Sequence, residues 1–356
     1  MTEDLSPEDS FRLEVLLAQD LKAVRIDESN LVLHALTDQG EASIPLAPNC
    51  KPDKYLRLIR ELLSGHALGS PGGYPVYLSR WTRHGQMEGI NLGKLLLTGE
   101  PEAAVAVVYS PALTDELARY AWWTLPTIEN ARLMLRRDAV AQGEMGRVLA
   151  DFLVEHLPFL QDDHVGIMDT VAVLLHSGTL TKAHLEATWK RGKRSNTFYV
   201  AFLEMAAGDL PSPRPAHSDQ EAARAALADQ IAAGQPASLA LERALSAQGQ
   251  TFLAASAEIL ERPETQEVVT RTLNAIGRYF SGGADWQEDI DQPGRDACQQ
   301  FAPALEAAAR LARVSEAPVK PVFARSTAIG SLMRRKIEPV VAPIMADIRL
   351  LRASGK

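Results

Sequence analysis

Residues 22–46 read KAVRIDESNLVLHALTDQGEASIPL, and their hydrophobic period differs from that of the residues on either side. Apolar and polar side chains alternate in three short runs, which is the period of a half-buried β-strand. Polar turns at 27–30 and 37–40 separate these runs. The pattern predicts a three-stranded antiparallel meander.

Helical patterns lie on both sides of the meander. Ser6 is a favourable N-cap, Pro7 suits the first position of a helix, and Asp9 stands where a reciprocal capping carboxylate belongs. After the meander, apolar residues recur at helical spacing from Tyr55, and we expect this helix to end at Gly65. Helical signals dominate most of the remaining chain.

The composition changes after a proline-rich stretch at 209–218. Its prolines cannot continue a helix and favour an extended chain, so we expect a linker there. We therefore predict an α+β domain at 1–208 and an alanine-rich helical region with a basic C-terminal helix at 219–356. Pro339 and Pro343 predict a break or kink in that last helix.

Length and composition place the chain among globular proteins. It has 356 residues, of which 46% are hydrophobic and 23% are charged, with a formal net charge of -8. This mix excludes wholesale disorder and a generally polycationic nucleic-acid binder. Together with the patterns above, it predicts an α+β, mainly helical fold. We expect a small N-terminal antiparallel β-meander with surrounding helices, followed by a helical C-terminal region.

The N-terminal residues and the cysteines indicate the compartment. The start, MTEDLSPEDS, is acidic and lacks the basic region and apolar stretch of a secretory signal. No apolar run approaches the roughly 18 residues that a membrane span needs. We therefore expect a cytoplasmic protein without membrane contact, in which Cys50 and Cys298 are free thiols.

Motifs for catalysis, metal ions and phosphate are missing from the sequence. None of the histidines stands in an HExxH pattern or forms a close pair with a cysteine, and no GxSxG elbow occurs. The sequence also lacks the GKS or GKT of a phosphate-binding loop. We accordingly predict no catalytic residues, no metal site and no cofactor, and an enzyme is the less favoured alternative.

The most distinctive stretch is a Gly/Pro-rich loop together with the residues that follow it, 65–84. Aromatic rings beside cations can form a recognition surface. A turn between a helix and a strand is the more common use of such glycines. If the alternative of an enzyme holds, we expect its pocket here. The candidate interaction surface comprises Tyr74, Tyr77, Arg80, Trp81, Arg83 and His84.

A second candidate surface is the basic and aromatic segment at 189–199, WKRGKRSNTFY. Single-stranded nucleic acid is bound by such segments, because phosphates pair with the cations and bases stack on the rings. The alternative is that Trp189, Phe198 and Tyr199 are buried helix residues and that the cations form a solvated helix end. The candidate nucleic-acid contacts are Lys190, Arg191, Lys193 and Arg194.

Four stretches of the chain resemble a known family. They are HALGSPGGYPVYLSRWTRHGQM (66–87), LLLTGEPEAAVAVVYSPALTDELARYAWW (95–123), GRVLADFLVEHLPF (146–159) and KRGKRSNTFYVAFL (190–203). Together they look like DsrS, the sulfur reduction protein encoded with the dissimilatory sulfite reductase genes of sulfur-oxidising bacteria. The resemblance covers mainly residues 5–205 and implies a soluble cytoplasmic accessory or regulatory protein of sulfur oxidation. It offers no catalytic residues to carry over.

The resemblance and the missing motifs together lead to one expectation about function. We expect a non-enzymatic cytoplasmic accessory or regulatory protein of dissimilatory sulfur oxidation that acts through macromolecular contacts, with a protein partner in that pathway. Two alternatives stay open. One is an RNA- or DNA-binding regulator that uses the segment 189–199. The other is an enzyme with a site near the loop at 65–84.

Overall fold

The chain divides into two compact units, Met1–His156 and Leu157–Lys356. Helices form most of both units, and the first unit also contains a small antiparallel sheet. The predicted mainly helical α+β class is confirmed. Among the described helices, none has the length and apolar character needed to cross a membrane. The computed structural model describes residues 5–69, 92–282, 299–325 and 328–352.

The sheet of the first unit is the predicted meander. Its strands are β1 (Leu21–Asp27), β2 (Val32–Thr37) and β3 (Gly40–Pro45). They pair antiparallel in chain order, so that β2 lies between the other two. The alternating period of the sequence was therefore sufficient to place these strands.

One face of the sheet is apolar because residues two apart along a strand point to the same side. The pairing aligns Leu33 in β2 with Ile26 in β1 and with Ile44 in β3. Val24 and Ala35, which also pair, extend the same face. These side chains pack with residues from the helices before and after the sheet to form one hydrophobic core.

The helix that follows the sheet ends later than expected. It continues past Gly65 and stops at Gly69, which adopts a left-handed φ of 62°. Glycine takes this conformation without the steric cost that other residues bear. The helix continues because Ala67 extends its buried face by one more turn. The described helices of this unit are α1 (Pro7–Leu17), α2 (Pro52–Leu68), α3 (Leu92–Leu95), α4 (Pro101–Tyr109), α5 (Asp115–Thr124), α6 (Ile128–Leu135), α7 (Asp138–Ala141) and α8 (Glu144–His156).

A buried carboxylate joins α1, α2 and the loop after β3. Ser6 caps α1 as predicted, accepting a hydrogen bond from the Asp9 amide at 3.3 Å. Asp9 does not return that bond. Its carboxylate is fully buried and accepts from the Tyr55 hydroxyl at 2.6 Å and from the Ala47 amide at 2.8 Å. A buried carboxylate without donors would cost free energy, so Asp9 bonds Tyr55 and Ala47 rather than the exposed end of the helix.

The phenol of Tyr55 is the second half of this junction. Burial and the bond to Asp9 raise the pKa of Tyr55, so the hydroxyl stays protonated and donates. The same oxygen accepts from the Ser6 amide at 3.3 Å. One phenol therefore connects the N-cap of α1 to the middle of the core.

We expect Tyr55→Phe to lower the free energy of unfolding of the first unit by about 1–3 kcal/mol, because the buried Asp9 carboxylate loses a donor. Hydrogen exchange of peptides from α1 and α2 during chemical denaturation measures this change. Tyr109→Phe is the matched control, since the Tyr109 side chain is exposed, and should change the free energy by less than about 0.5 kcal/mol. Equal effects of the two substitutions would contradict the role given to the phenol.

The second unit is built from helices around one central helix, α15. The side chains of α15 are buried on nearly all sides, and it contacts α11, α14, α16 and α19. A 3₁₀ turn (Leu157–Leu160) precedes the first helix. The described helices are α9 (His164–Ser177), α10 (Lys182–Arg191), α11 (Thr197–Met205), α12 (Gln220–Ala226), α13 (Ala228–Ala232), α14 (Pro236–Leu245), α15 (Ala247–Glu261), α16 (Gln266–Ser281), α17 (Ala302–Ala312), α18 (Lys320–Ala324) and α19 (Gly330–Leu351).

The last helix runs through both of its prolines. We expected a break or kink at Pro339 and Pro343, but α19 continues without a break. Both prolines lie on its exposed side. Ile337, Ile344 and Ile348 are buried on the other side, and this burial offsets the hydrogen bonds that the prolines remove.

The proline-rich stretch 209–218 lies within the second unit. Leu210 is buried, and both its amide and its carbonyl bond the side chain of Gln248. The Arg214 amide donates to the Thr251 hydroxyl at 2.7 Å. The stretch contains no helix or strand, as its prolines predict, and α15 supplies hydrogen-bond partners to Leu210 and Arg214. The two compact units divide between His156 and Leu157, whereas the domain boundary expected from the sequence lies at residue 208.

Candidate functional site

The segment 189–199 covers the end of α10, a turn and the start of α11. The ring of Trp189 packs on the ring of Tyr199 with centroids 4.4 Å apart, and on that of Phe202 at 5.2 Å. All three rings are buried. These packed rings support the turn between α10 and α11.

This burial bears on the nucleic-acid alternative. Trp189, Phe198 and Tyr199 are only 8%, 7% and 4% exposed, so none of these rings offers a face to a base. Single-stranded nucleic acid would use two kinds of contact here. Base stacking lacks an exposed ring, so only the pairing of phosphates with cations could contribute. The helix-face interpretation of the three aromatic residues agrees with the structure.

Gly192 sets the path of the turn. A methyl group at this position would lie 2.3 Å from Cε1 of Tyr199, so only glycine lets the backbone pass this close to the ring. Two cations precede Gly192 and two follow it. The two lysines border one side of the turn and the two arginines border the other. We call these four residues, Lys190, Arg191, Lys193 and Arg194, the cationic turn.

The arginines of the cationic turn border a hollow of about 550 Å³, which we call the arginine hollow. Gln161 and Ser195 are its other polar residues. Its apolar wall comprises Leu157, Pro158, Ile167 and Phe198.

The lysines of the cationic turn border a second hollow of about 310 Å³, the lysine hollow. Arg214 adds a third cation to it, and Glu258 adds a carboxylate. Burial, with a smaller contribution from Glu258, raises the pKa of Tyr199, whose phenol lines this hollow in its neutral form. The hollow therefore contains its own counter-charge.

The four side chains of the cationic turn stand within five residues and have no carboxylate partner in the described part of the chain. Within the described ranges, none of its four side chains makes an ion pair or a side-chain hydrogen bond. Arg271 in α16 is the contrast, because it bonds Glu204 through two nitrogens and Asp169 through a third. Burial alone would lower the pKa of Arg271, but these carboxylates raise it. Arg271 is thus a structural cation, whereas those of the turn face solvent.

A polar cluster fixes the far end of the turn. Glu264 accepts hydrogen bonds from the hydroxyls of Ser195, at 2.9 Å, and Thr197. The Nδ1 atom of His164 lies 3.2 Å from the same carboxylate oxygen. Asn196 donates to the Arg262 carbonyl at 2.7 Å. The loop between α15 and α16 therefore holds the start of α11 in place.

Hydroxyl, imidazole and carboxylate also make up a hydrolytic triad, but the geometry here differs. In a triad the hydroxyl donates to one ring nitrogen while the carboxylate contacts the other. Here both hydroxyls donate to Glu264, and His164 meets Thr197 and Glu264 through the same nitrogen, Nδ1. Neither hydroxyl donates its proton to the imidazole, as the nucleophile of a triad does. Positioning of the turn is the role that this cluster can fill.

Sequence reasoning found the cationic turn but missed the polar cluster. Glu264 and Arg262 lie more than 60 residues from their partners at 195–197, and no local motif marks them. The other predicted surface, Tyr74 to His84, lies outside the described residues, as does Cys298. Cys50 is a free thiol.

Two further observations concern metal binding and similarity to known proteins. The parts of the chain that the structure describes contain no group of three or more His, Cys, Asp or Glu residues that could hold a metal ion. Neither the protein-family models, nor the curated proteins, nor the solved structures gave a match to this chain. Function has therefore to be inferred from the chain's own residues.

We expect Gly192→Ala to lower the free energy of unfolding of the second unit by about 1–3 kcal/mol, because the methyl group displaces the turn from the Tyr199 ring. Chemical denaturation measures the change. Gly208→Ala is the matched control, because a Cβ there meets no atom within 4 Å. It should be neutral or stabilising by up to about 1 kcal/mol. If both substitutions are tolerated alike, the close approach at Gly192 is not a constraint.

Proposed function

We propose that this chain is a non-enzymatic accessory protein that binds an acidic protein partner through the cationic turn. The observation that supports this most is the set of four cations within five residues, none with a carboxylate partner in the described chain. Their framework is held by buried rings and by the polar cluster around Glu264. A turn that is already ordered loses little conformational entropy when a partner binds.

An acidic protein suits this surface better than a nucleic acid. Stacking is not offered by the rings at 189–199, which are buried. The whole chain carries a net charge of -8, which repels a long polyanion beyond the turn itself. A protein partner requires charge complementarity only over the contact.

The pathway enters the proposal through the resemblance of residues 5–205 to DsrS. On that basis the partner belongs to dissimilatory sulfur oxidation and the two proteins meet in the cytoplasm. An enzymatic role gains no support from the polar cluster, because Ser195 and Thr197 both donate to Glu264 and neither donates to the imidazole of His164, as a triad requires.

The test is affinity capture from the lysate of the native host, with half of each sample treated with RNase. The tagged wild type is compared with a variant in which Lys190, Arg191, Lys193 and Arg194 are each replaced by Gln. In the control variant four exposed arginines are each replaced by Gln, so it loses the same amount of positive charge. One of them lies in the first unit and three lie in the second. The four arginines are Arg136, Arg313, Arg334 and Arg335.

We expect proteins that persist after RNase, are depleted with the variant of the cationic turn, and are retained with the control variant. With the partner purified, the turn variant should bind about 10-fold more weakly or worse, because long-range attraction and direct ion pairs are lost together. Equal capture by both variants would contradict the proposal. Nucleic acid in the capture, with proteins lost on digestion, would favour the RNA or DNA alternative instead.

A further inference from the structure

We infer that the arginine hollow is a binding site for a small organic anion with an apolar body. This site shares Arg191 and Arg194 with the proposed protein contact, but it takes a small molecule and does not use Lys190 or Lys193. The volume of about 550 Å³ lies in the range of about 300–1,000 Å³ that is typical of small-molecule sites.

The wall of the hollow is apolar and built from several elements. Leu157 comes from the 3₁₀ turn, Ile167 from α9 and Phe198 from α11. Each is part of the packed core and less than a tenth exposed, so the wall is firm. Pro158 completes it at the rim. Such a wall binds the hydrocarbon or ring of a ligand by removing its apolar surface from water.

The rim supplies the charge for the other end of the ligand. Arg191 ends α10 and Arg194 lies three residues later in the turn, and neither has a carboxylate partner among the described residues. A guanidinium offers paired donors that match a carboxylate or a phosphate. Gln161 adds an amide that can donate to the same group. A cationic rim above an apolar wall selects a molecule with the same two parts.

Glu264 bonds the Ser195 hydroxyl that lines this hollow, but it makes no ion pair with either arginine. Glu264 already accepts from Ser195 and Thr197, and lies within 3.2 Å of His164. The Ser195 hydroxyl donates its only proton to Glu264, so it can only accept a hydrogen bond from a ligand in the hollow. Recognition of the anionic group therefore falls to the two arginines and Gln161.

The lysine hollow does not carry the same inference. It is smaller, at about 310 Å³, and Glu258 stands among its cations. The two hollows nevertheless provide a matched pair of variants on one turn. Arg191→Gln with Arg194→Gln removes two charges from the arginine hollow, and Lys190→Gln with Lys193→Gln removes two charges from the other side.

The experiment uses the purified full chain and the fluorescent anion anilinonaphthalene sulfonate, displaced by octanoate, octyl phosphate, octyl glucoside or inorganic phosphate. We expect one site per chain, with octanoate or octyl phosphate as competitors. Octyl glucoside lacks the charge and inorganic phosphate lacks the apolar body, so both should compete at least about 10-fold more weakly. Whichever octyl anion competes better identifies the head group as carboxylate or phosphate.

The variants locate the site. The double arginine variant should weaken probe binding about 10-fold or more, whereas the double lysine variant should change it less than about 2-fold. Gln161→Trp starts from an exposed side chain and fills the hollow without changing charge. It should abolish binding even if the arginine variant proves unstable by circular dichroism. Binding that survives Gln161→Trp, that falls equally in both double variants, or that octyl glucoside displaces as well as octanoate would overturn the inference.

The same variants separate this inference from the proposed function. Gln161→Trp retains all four cations, so it should lose the small anion and keep the acidic partner. The double lysine variant should weaken the partner and keep the small anion. A failure of either idea alone therefore leaves a different pattern from a failure of both.

Discussion

The passage of the backbone at Gly192 over the buried ring of Tyr199 determines the arrangement of this candidate site. The Tyr199 ring packs against the ring of Trp189, which also packs on Phe202. The turn cannot move closer to the core, and a larger residue at 192 would force it away. The four cations that flank Gly192 are divided into two pairs that border different hollows.

Charge in the second unit falls into two groups with different physical roles. Arg271 joins Glu204 and Asp169 across three helices, and Arg310 joins Asp347 between α17 and α19. These cations link helices, because each is paired with a carboxylate on a neighbouring helix; Arg271 is largely buried, whereas Arg310 is half exposed beside a buried Asp347. The cationic turn has no such partner in the described chain, and its charge is therefore available to a molecule that comes from outside.

Local sequence patterns predicted what depends on neighbours in the chain. The period-two runs gave the meander, and Ser6 gave the start of α1, because both depend on residues a few positions apart. Tertiary contacts decided the rest. Asp9 turned inward to Tyr55 and Ala47, and burial of one face of α19 kept a helix with two prolines intact.

The candidate site shows the same division. The basic run at 190–194 is visible in the sequence, and the helical spacing of the rings already allowed for their burial. Glu264, which fixes the turn through Ser195 and Thr197, lies too far along the chain for any local motif to connect them. The arginine hollow forms where four separate elements meet, the 3₁₀ turn, α9, α10 and α11, and only the folded chain displays this.

The most direct measurement is carbodiimide crosslinking of the captured complex, followed by mass spectrometry, because this reagent joins lysine amines to carboxylates that are already in contact. The account predicts that Lys190 and Lys193 are joined to aspartate or glutamate residues of the partner. Crosslinks from other lysines of the chain, with none from these two, would contradict the claim that the cationic turn is the binding surface.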